Sequence, residues 1–222
     1  MRWLSACLVL CLLVNVAGCA RPTDASVTVG AVLIDPGHGG FDGGTTAEDG
    51  TIEKDLNLAI SLCLRDLLAV CGVPVMMTRD TDVSLDEDSS VTIRKRKISD
   101  MAKRLEMYET ADAVISVHQN YFTQPQYSGT QIFYSRNNGS SAVLAEKIRR
   151  MVVGWTQPNN TRELKVAGDS IYLLQRTSTP AVLVECGFLS HPEEREKLKN
   201  TAYQQQLAFA IMAGYWNYIL GT

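Results

Sequence analysis

Three apolar runs in this chain are each short enough to be one buried strand, and each ends at or beside an ionisable residue. They are Ala31-Val-Leu-Ile-Asp-Pro-Gly-His38, Ala113-Val-Ile-Ser-Val-His118 and Pro180-Ala-Val-Leu-Val-Glu185. Short apolar runs bounded by Pro or Gly read as buried strands. Ionisable residues at the ends of such strands are costly unless they serve a site, and open α/β sheets bind ligands at strand C-termini. Two His, a glycine turn and two Glu (Glu185, and Glu53 at the start of a helical pattern) point to a hydrolytic zinc centre.

Between the runs the period changes from strand to helix. Leu56, Ile60, Cys63, Leu64, Leu67 and Leu68 form one apolar stripe starting near Glu53, with Thr51 as the expected N-cap and Gly72 as the stop. Val73 to Thr78 reads as a strand, Asp80 to Asp88 as a solvated acidic loop, and Thr92 to Glu109 as a charged helix. The basic run Arg94-Lys-Arg-Lys, with Lys103 and Arg104 beyond it, reads first as a solvated face of that helix. Further strands are expected at Gly129 to Tyr134 and, briefly, Ile171 to Leu174. Helices are expected at Ser140 to Trp155, Pro192 to Lys199 and Ala202 to Ile219. Alternating strands and helices imply a single α/β domain, a mostly parallel or mixed twisted sheet with helices on both faces.

With 222 residues, 45% hydrophobic and 20% charged, the chain has the size and balance of one globular domain. A net charge of −3 argues against a nucleic-acid partner, which calls for a basic surplus. Residues 1–20 stand apart: a weakly basic start, an apolar run from Leu4 to Ala17, then small residues before Cys19. This is the layout of an export signal. Val16-Ala-Gly-Cys19 also resembles a lipobox, so a lipid anchor, a cleaved signal and an uncleaved membrane anchor stay open, all extracytoplasmic. Residues 21–29 read as a short tether and 30–222 as the catalytic domain. Cys63 and Cys71 lie ~12 Å apart along a helix rising 1.5 Å per residue, too far for a disulfide. No Cys-x-x-Cys is present, so the mature cysteines read as small buried hydrophobes.

A hydrolytic zinc site keeps three protein ligands and an open position, and His38, Glu53 and His118 supply such a set. Each has another reading. His38 among glycines suits a loop or cap, and His118 suits a satisfied half-buried histidine. Glu53 at a helix start complements the dipole, and Glu185 suits a structural ion pair. The glycines around His38 allow close backbone approach, but the Gly-Lys-Ser/Thr ending of a phosphate loop is missing.

The stretches Ile34-Asp-Pro-Gly-His-Gly-Gly, Gly50-Thr-Ile-Glu-Lys-Asp-Leu-Asn-Leu, Met77-Thr-Arg-Asp, Ile115-Ser-Val-His-Gln-Asn and Pro180-Ala-Val-Leu-Val-Glu-Cys-Gly-Phe-Leu-Ser-His carry a specific resemblance. Over residues 30 to 219 the chain resembles the zinc-dependent N-acetylmuramoyl-L-alanine amidases of bacterial cell walls. The resemblance implies one Zn²⁺ on His38, Glu53 and His118, with Glu185 as the catalytic glutamate. It gives Arg104 a structural role and makes Asn120 a contact to substrate or to a ligand of the site. Gln119 and His191 depart from the family pattern, which bears on substrate details only.

Asn160-Thr-Arg-Glu followed by Ile171-Tyr-Leu-Leu resembles the compact spore-cortex, germination-specific type. That type implies peptidoglycan as substrate and a muramic acid deacetylase acting next to form muramic-δ-lactam. It also brings in, in some spore formers, a lipoprotein activator. Two rivals remain at this point. One is a zinc peptidase cutting within the stem peptide; the other is an inactive scaffold that binds peptidoglycan or a partner.

Overall fold

The computed structural model describes residues 29–222. The export signal and most of the tether therefore lie outside the described residues.

Strand β1 (Val32–Pro36) leads into a glycine loop and helix α1 (Glu53–Val70), then β2 (Val75–Met77), α2 (Ile93–Tyr108) and β3 (Ala113–Asn120). There follow β4 (Gln131–Tyr134), α3 (Ser140–Trp155), β5 (Lys165–Val166), α4 (Tyr172–Arg176) and β6 (Ala181–Phe188). Helices α5 (Pro192–Lys199) and α6 (Thr201–Ile219) complete the domain. The six strands form one sheet in the order β2-β1-β3-β6-β4-β5. β2, β1, β3 and β6 run parallel, while β4 is antiparallel to β6 and β5 pairs parallel with β4.

The three apolar runs are the three central strands, and their continuous hydrophobicity has a direct cause. Strands covered by helices on both faces need apolar side chains at odd and even positions alike. Val32, Ile34, Ile115, Val117, Val182 and Val184 share a core with Ile60, Leu64, Ile148 and Ile211, placing α1, α3 and α6 on one face. Leu33, Val114, Ala181 and Leu183 pack with Tyr108, Leu173 and Leu174, placing α2 and α4 on the other. Side chains alternate along a strand, so Asp35, His118 and Glu185 belong to the α2/α4 face.

Five local expectations are corrected. Ile171 to Leu174 is not a strand: Tyr172 to Arg176 coil into α4, and the extra strand is the exposed pair Lys165–Val166. One helical turn puts the adjacent Leu173 and Leu174 into the same buried cluster, a pairing that a pleated strand would split between two faces. Thr51 is not the cap of α1. Ile52 holds that position without a side-chain bond, and the first amides of the helix are met by loop carbonyls instead: Glu53 N–H donates to Thr45 O at 2.9 Å and Lys54 N–H to Gly43 O at 3.2 Å.

Of the three described cysteines only Cys186 is fully buried; Cys63 is half-buried and Cys71 exposed. Gly72, with φ of 77°, ends α1 in the left-handed conformation expected of a stop. The solvated-face reading holds for Arg94, Lys95 and Lys97 but not for Arg104, whose side chain is buried against the sheet. Nor is the acidic loop merely solvated. Asp82 accepts from Gly40 N–H and pairs with Lys54 at 2.6 Å, and Asp86 pairs with Arg96 at 2.6 Å.

Candidate metal centre and active site

Three different kinds of element bring the charged residues to one end of the sheet. His38 sits on the loop leaving β1, Glu53 is the first residue of α1, and His118 is near the C-terminal end of β3. Glycine makes the closure possible. A Cβ on Gly37 would overlap the His118 ring, and one on Gly44 would come within 2.6 Å of Glu53 Oε2. His38 itself adopts φ of 63°, a left-handed backbone unusual for a residue with a side chain.

Two buried guanidiniums hold that turn. Arg104 donates to His38 O at 2.7 Å and Pro36 O at 3.0 Å. Arg79 donates to Pro36 O and Gly37 O, each at 3.0 Å, and to Lys54 O at 2.9 Å. Beneath them Asp35 receives Arg104, the Tyr108 hydroxyl at 2.6 Å, the Thr78 hydroxyl at 2.7 Å and the Ser116 hydroxyl at 2.8 Å. Burial alone would raise the Asp35 carboxyl, but Arg104 and the Tyr108 and Thr78 hydroxyls outweigh it and hold it far below the usual range.

At the centre is one oxygen. Glu53 Oε1 lies 3.2 Å from His38 Nε2, 3.0 Å from His118 Nδ1 and 3.2 Å from the Gln119 amide nitrogen. Its other oxygen accepts Thr45 N–H at 2.9 Å. The rings of His38 and His118 meet edge to face, with centroids 4.9 Å apart. Burial would raise the Glu53 carboxyl, yet its bonds to the two imidazoles hold it far below normal. Burial would likewise lower His38, but Asp42 and Glu53 raise it to about 9.

The donor set fits a zinc ion. Two imidazole nitrogens and one carboxylate oxygen all lie within 4.8 Å of one another, and this is a mixture that zinc accepts with a position to spare. His38 carries its own outer carboxylate: Nδ1 is hydrogen bonded to Asp42 Oδ2 at 2.9 Å, leaving Nε2 turned toward Glu53. Such a carboxylate fixes the tautomer and orientation of a ligating ring. Asp42 is in turn paired with Lys97 at 3.0 Å.

Glu185 stands directly beside His118, because β3 and β6 pair in parallel with those two residues in register. One face of it opens on a groove, while its Oε2 is buried without a hydrogen-bond partner. Burial pushes its carboxyl up to about 7, with Glu53 adding to the rise and the imidazoles of His118 and His38 opposing it. An unpaired carboxylate poised near neutrality is suited to taking and returning a proton. Asn120 ends β3 after a bulge and lines the same groove. His191 is the N-cap of α5, where its ring accepts from Glu194 N–H at 3.3 Å, and takes no part in the cluster.

The sequence reading brought forward His38, Glu53, His118 and Glu185, and the fold brings all four to one place. It missed Asp42 and Asp35, and it met Arg79 only as part of a matching stretch. The signal for Asp42 was its spacing four residues after His38 in a glycine loop. For Asp35 it was a charge inside an otherwise apolar strand.

The model of the N-acetylmuramoyl-L-alanine amidase family matches residues 32–216. The chain belongs to that family. The germination-specific N-acetylmuramoyl-L-alanine amidase of Bacillus subtilis (strain 168) is 32% identical over 204 residues, covering 89% of this chain and 83% of that protein. The CwlD amidase from Clostridioides difficile, solved in complex with the GerS lipoprotein, superposes with a TM-score of 0.83 at 36% identity, covering 87% of this chain and all of that one (100%). An N-acetylmuramoyl-L-alanine amidase from Clostridium difficile 630 superposes with a TM-score of 0.74 at 29% identity, over 86% of this chain and 97% of that one.

This amidase is therefore an enzyme of peptidoglycan, acting outside the cytoplasm on the cell wall. In it the interval between His118 and Glu185 is taken up by β4, α3, β5 and α4. Both helices of that interval pack against the sheet or its neighbouring helices.

Proposed function

We propose that the amidase hydrolyses the bond between the lactyl group of N-acetylmuramic acid and L-Ala with one zinc ion on His38, Glu53 and His118, and with Glu185 as general base and acid. The observation that carries this reading is a single carboxylate oxygen shared by two imidazoles at 3.2 and 3.0 Å, with the unpaired Glu185 beside them. Zinc, when bound there, supplies Lewis acidity toward the carbonyl and lets water give up a proton at ~pH 7.

Glu185 takes the proton of the attacking water. It then delivers that proton to the departing amine of L-Ala, because an amide leaves poorly as an anion. Acid–base assistance of this kind is worth ~10²–10⁴-fold. The ends of the β3 and β6 strands keep Glu185 and His118 adjacent, and the Asp42 carboxylate keeps the His38 ring turned inward. Asn120 lines the same groove as Glu185, which supports a contact to the substrate.

The setting we propose is the spore cortex, where removal of the stem peptide would let a muramic acid deacetylase act next and muramic-δ-lactam form. Similarity to a germination-specific amidase and to CwlD supports this setting, and the CwlD complex with a lipoprotein supports a lipoprotein activator for this chain as well. Residues 1–20 would then export the enzyme, as a cleaved signal or a lipid or membrane anchor. A tether over 21–29 would join it to the catalytic domain of 30–222.

Purified peptidoglycan digested by the zinc-loaded enzyme, with a chelator control, tests the chemistry by mass spectrometry. Zinc-dependent release of intact stem peptide beginning with L-Ala is the expected result, while internal peptide fragments would make the enzyme a stem-peptide peptidase. Glu185→Gln should keep its zinc and lose ~10²-fold or more in turnover. His118→Ala should lose the metal, and full zinc occupancy in that variant would overturn the ligand set.

A further inference from the structure

From Glu185 a groove of about 640 Å³ runs away from β3, across β6 and β4 to β5. Its floor follows from register: Gln131 on β4 pairs with Glu185, and Phe133, two residues on, pairs with both Leu183 and Lys165. Gln131, Phe133 and Lys165 therefore share the face of Glu185. Ile171, Lys165 on β5 and Arg162, whose guanidinium lies over the Phe188 ring of β6, also line it.

These two cations differ from most others in the molecule. Arg79, Arg96 and Arg104 are each committed to carbonyls or carboxylates. Lys165 is exposed and, among the described residues, has neither an ion pair nor a side-chain hydrogen bond. Arg162 is held from one side only. Its Nε donates to Ser128 O at 2.7 Å and its guanidinium lies 4.5 Å over the Phe188 ring, so its terminal nitrogens stay free. Glu185 is the one carboxylate lining this groove. Two cations with free donors lining one groove, in a chain of net charge −3, are a site for an anion.

We propose that Arg162 and Lys165 bind a carboxylate of the stem peptide, so that the peptide runs over β4 and β5 and the glycan lies on the β1 side of Glu185. The proposal rests on the reading that Glu185 marks the scissile amide. Of the two parts joined by that amide, the N-acetylated glycan is neutral and the stem peptide carries carboxylates. A planar guanidinium fixed by stacking and a flexible ammonium lining the same groove suit a carboxylate approached from solvent.

Calorimetric titration of the zinc-loaded Glu185→Gln protein with a soluble N-acetylmuramoyl peptide tests this, using stem carboxylates free or converted to amides. Amidation should raise Kd about ten-fold, the worth of one charge-assisted hydrogen bond. Lys165→Gln should do the same to the free-acid peptide. Combined, the two changes should cost less than the sum of their separate costs, because they share the Lys165–carboxylate contact. Additive losses, equal affinity for both peptides, or no binding of either would overturn the proposal. Arg162→Gln should act in the same direction. If that variant fails to fold through loss of its stacking on Phe188, Lys165→Gln, which touches nothing structural, carries the result. Product peaks appearing during the titration would instead sink the role of Glu185 and leave the carboxylate contact standing.

Discussion

Glu53 Oε1 accepts from two imidazoles and a backbone amide at once, and without a metal only protons reconcile so many donors and bases in one place. Glu185 is different, since burial raises its carboxyl to about 7 from an ordinary value of 4.5. A carboxyl whose folded value is the higher one binds its proton more tightly when folded. Its contribution to stability is then fully present below the unfolded value near 4.5 and lost as pH rises through 7. Metal-free protein should therefore lose stability between pH 5 and 8 more steeply than metal-free Glu185→Gln. Urea midpoints at several pH values check this, and parallel curves for the two proteins would place the Glu185 carboxyl in ordinary solvent. The identities of His38, His118 and Glu185 were legible because each stands at or just beyond the end of an apolar run. Asp42 was not, since four residues of loop do not by themselves say which way a side chain turns.

At the scale of elements, the polar contacts between β1 and α2 are unusually concentrated. Arg104 crosses from the middle of α2 to Asp35, Pro36 and His38, and also bonds Asp100 one turn earlier at 2.7 Å. Removing one partner of a buried pair leaves an uncompensated charge, typically a loss of ~3–5 kcal/mol. Arg104→Leu should destabilise the protein by about that much in denaturant titration. A loss below ~1 kcal/mol, as for an exposed pair, would contradict the burial described here. Arg104 also shows why a charge pattern misleads. The run from Arg94 to Arg104 looks like one solvated face, yet 3.6 residues per turn carries its last member around to the sheet. The same limit explains α4: a four-residue apolar segment fits a strand or a helix turn equally, and packing of Leu173 and Leu174 under the sheet decides it.

For the whole molecule, the metal would tie a loop, a helix start and a strand end together, so its binding energy is also folding energy. Zinc held at ~1,000 times its Kd should stabilise the fold by ~4 kcal/mol. A chelator should then lower the melting temperature of the parent by several degrees and leave His118→Ala where it was. An equal shift in both would mean that the metal sits elsewhere. The sequence by itself determined the class of fold, since three continuously apolar runs separated by helical stripes can be satisfied only by a sheet covered on both faces. It also pointed to the residues proposed as reactive, because ionisable groups at the ends of such runs have little structural reason to be there. Only the tertiary structure decided their distances, the outer carboxylate on His38, the buried Asp35–Arg104 network and the groove lined by Arg162 and Lys165. Most of these join residues far apart in the chain, such as the 69-residue separation of Asp35 and Arg104. Local periodicity reports which face a side chain takes; which distant group it meets there is set by strand order and register.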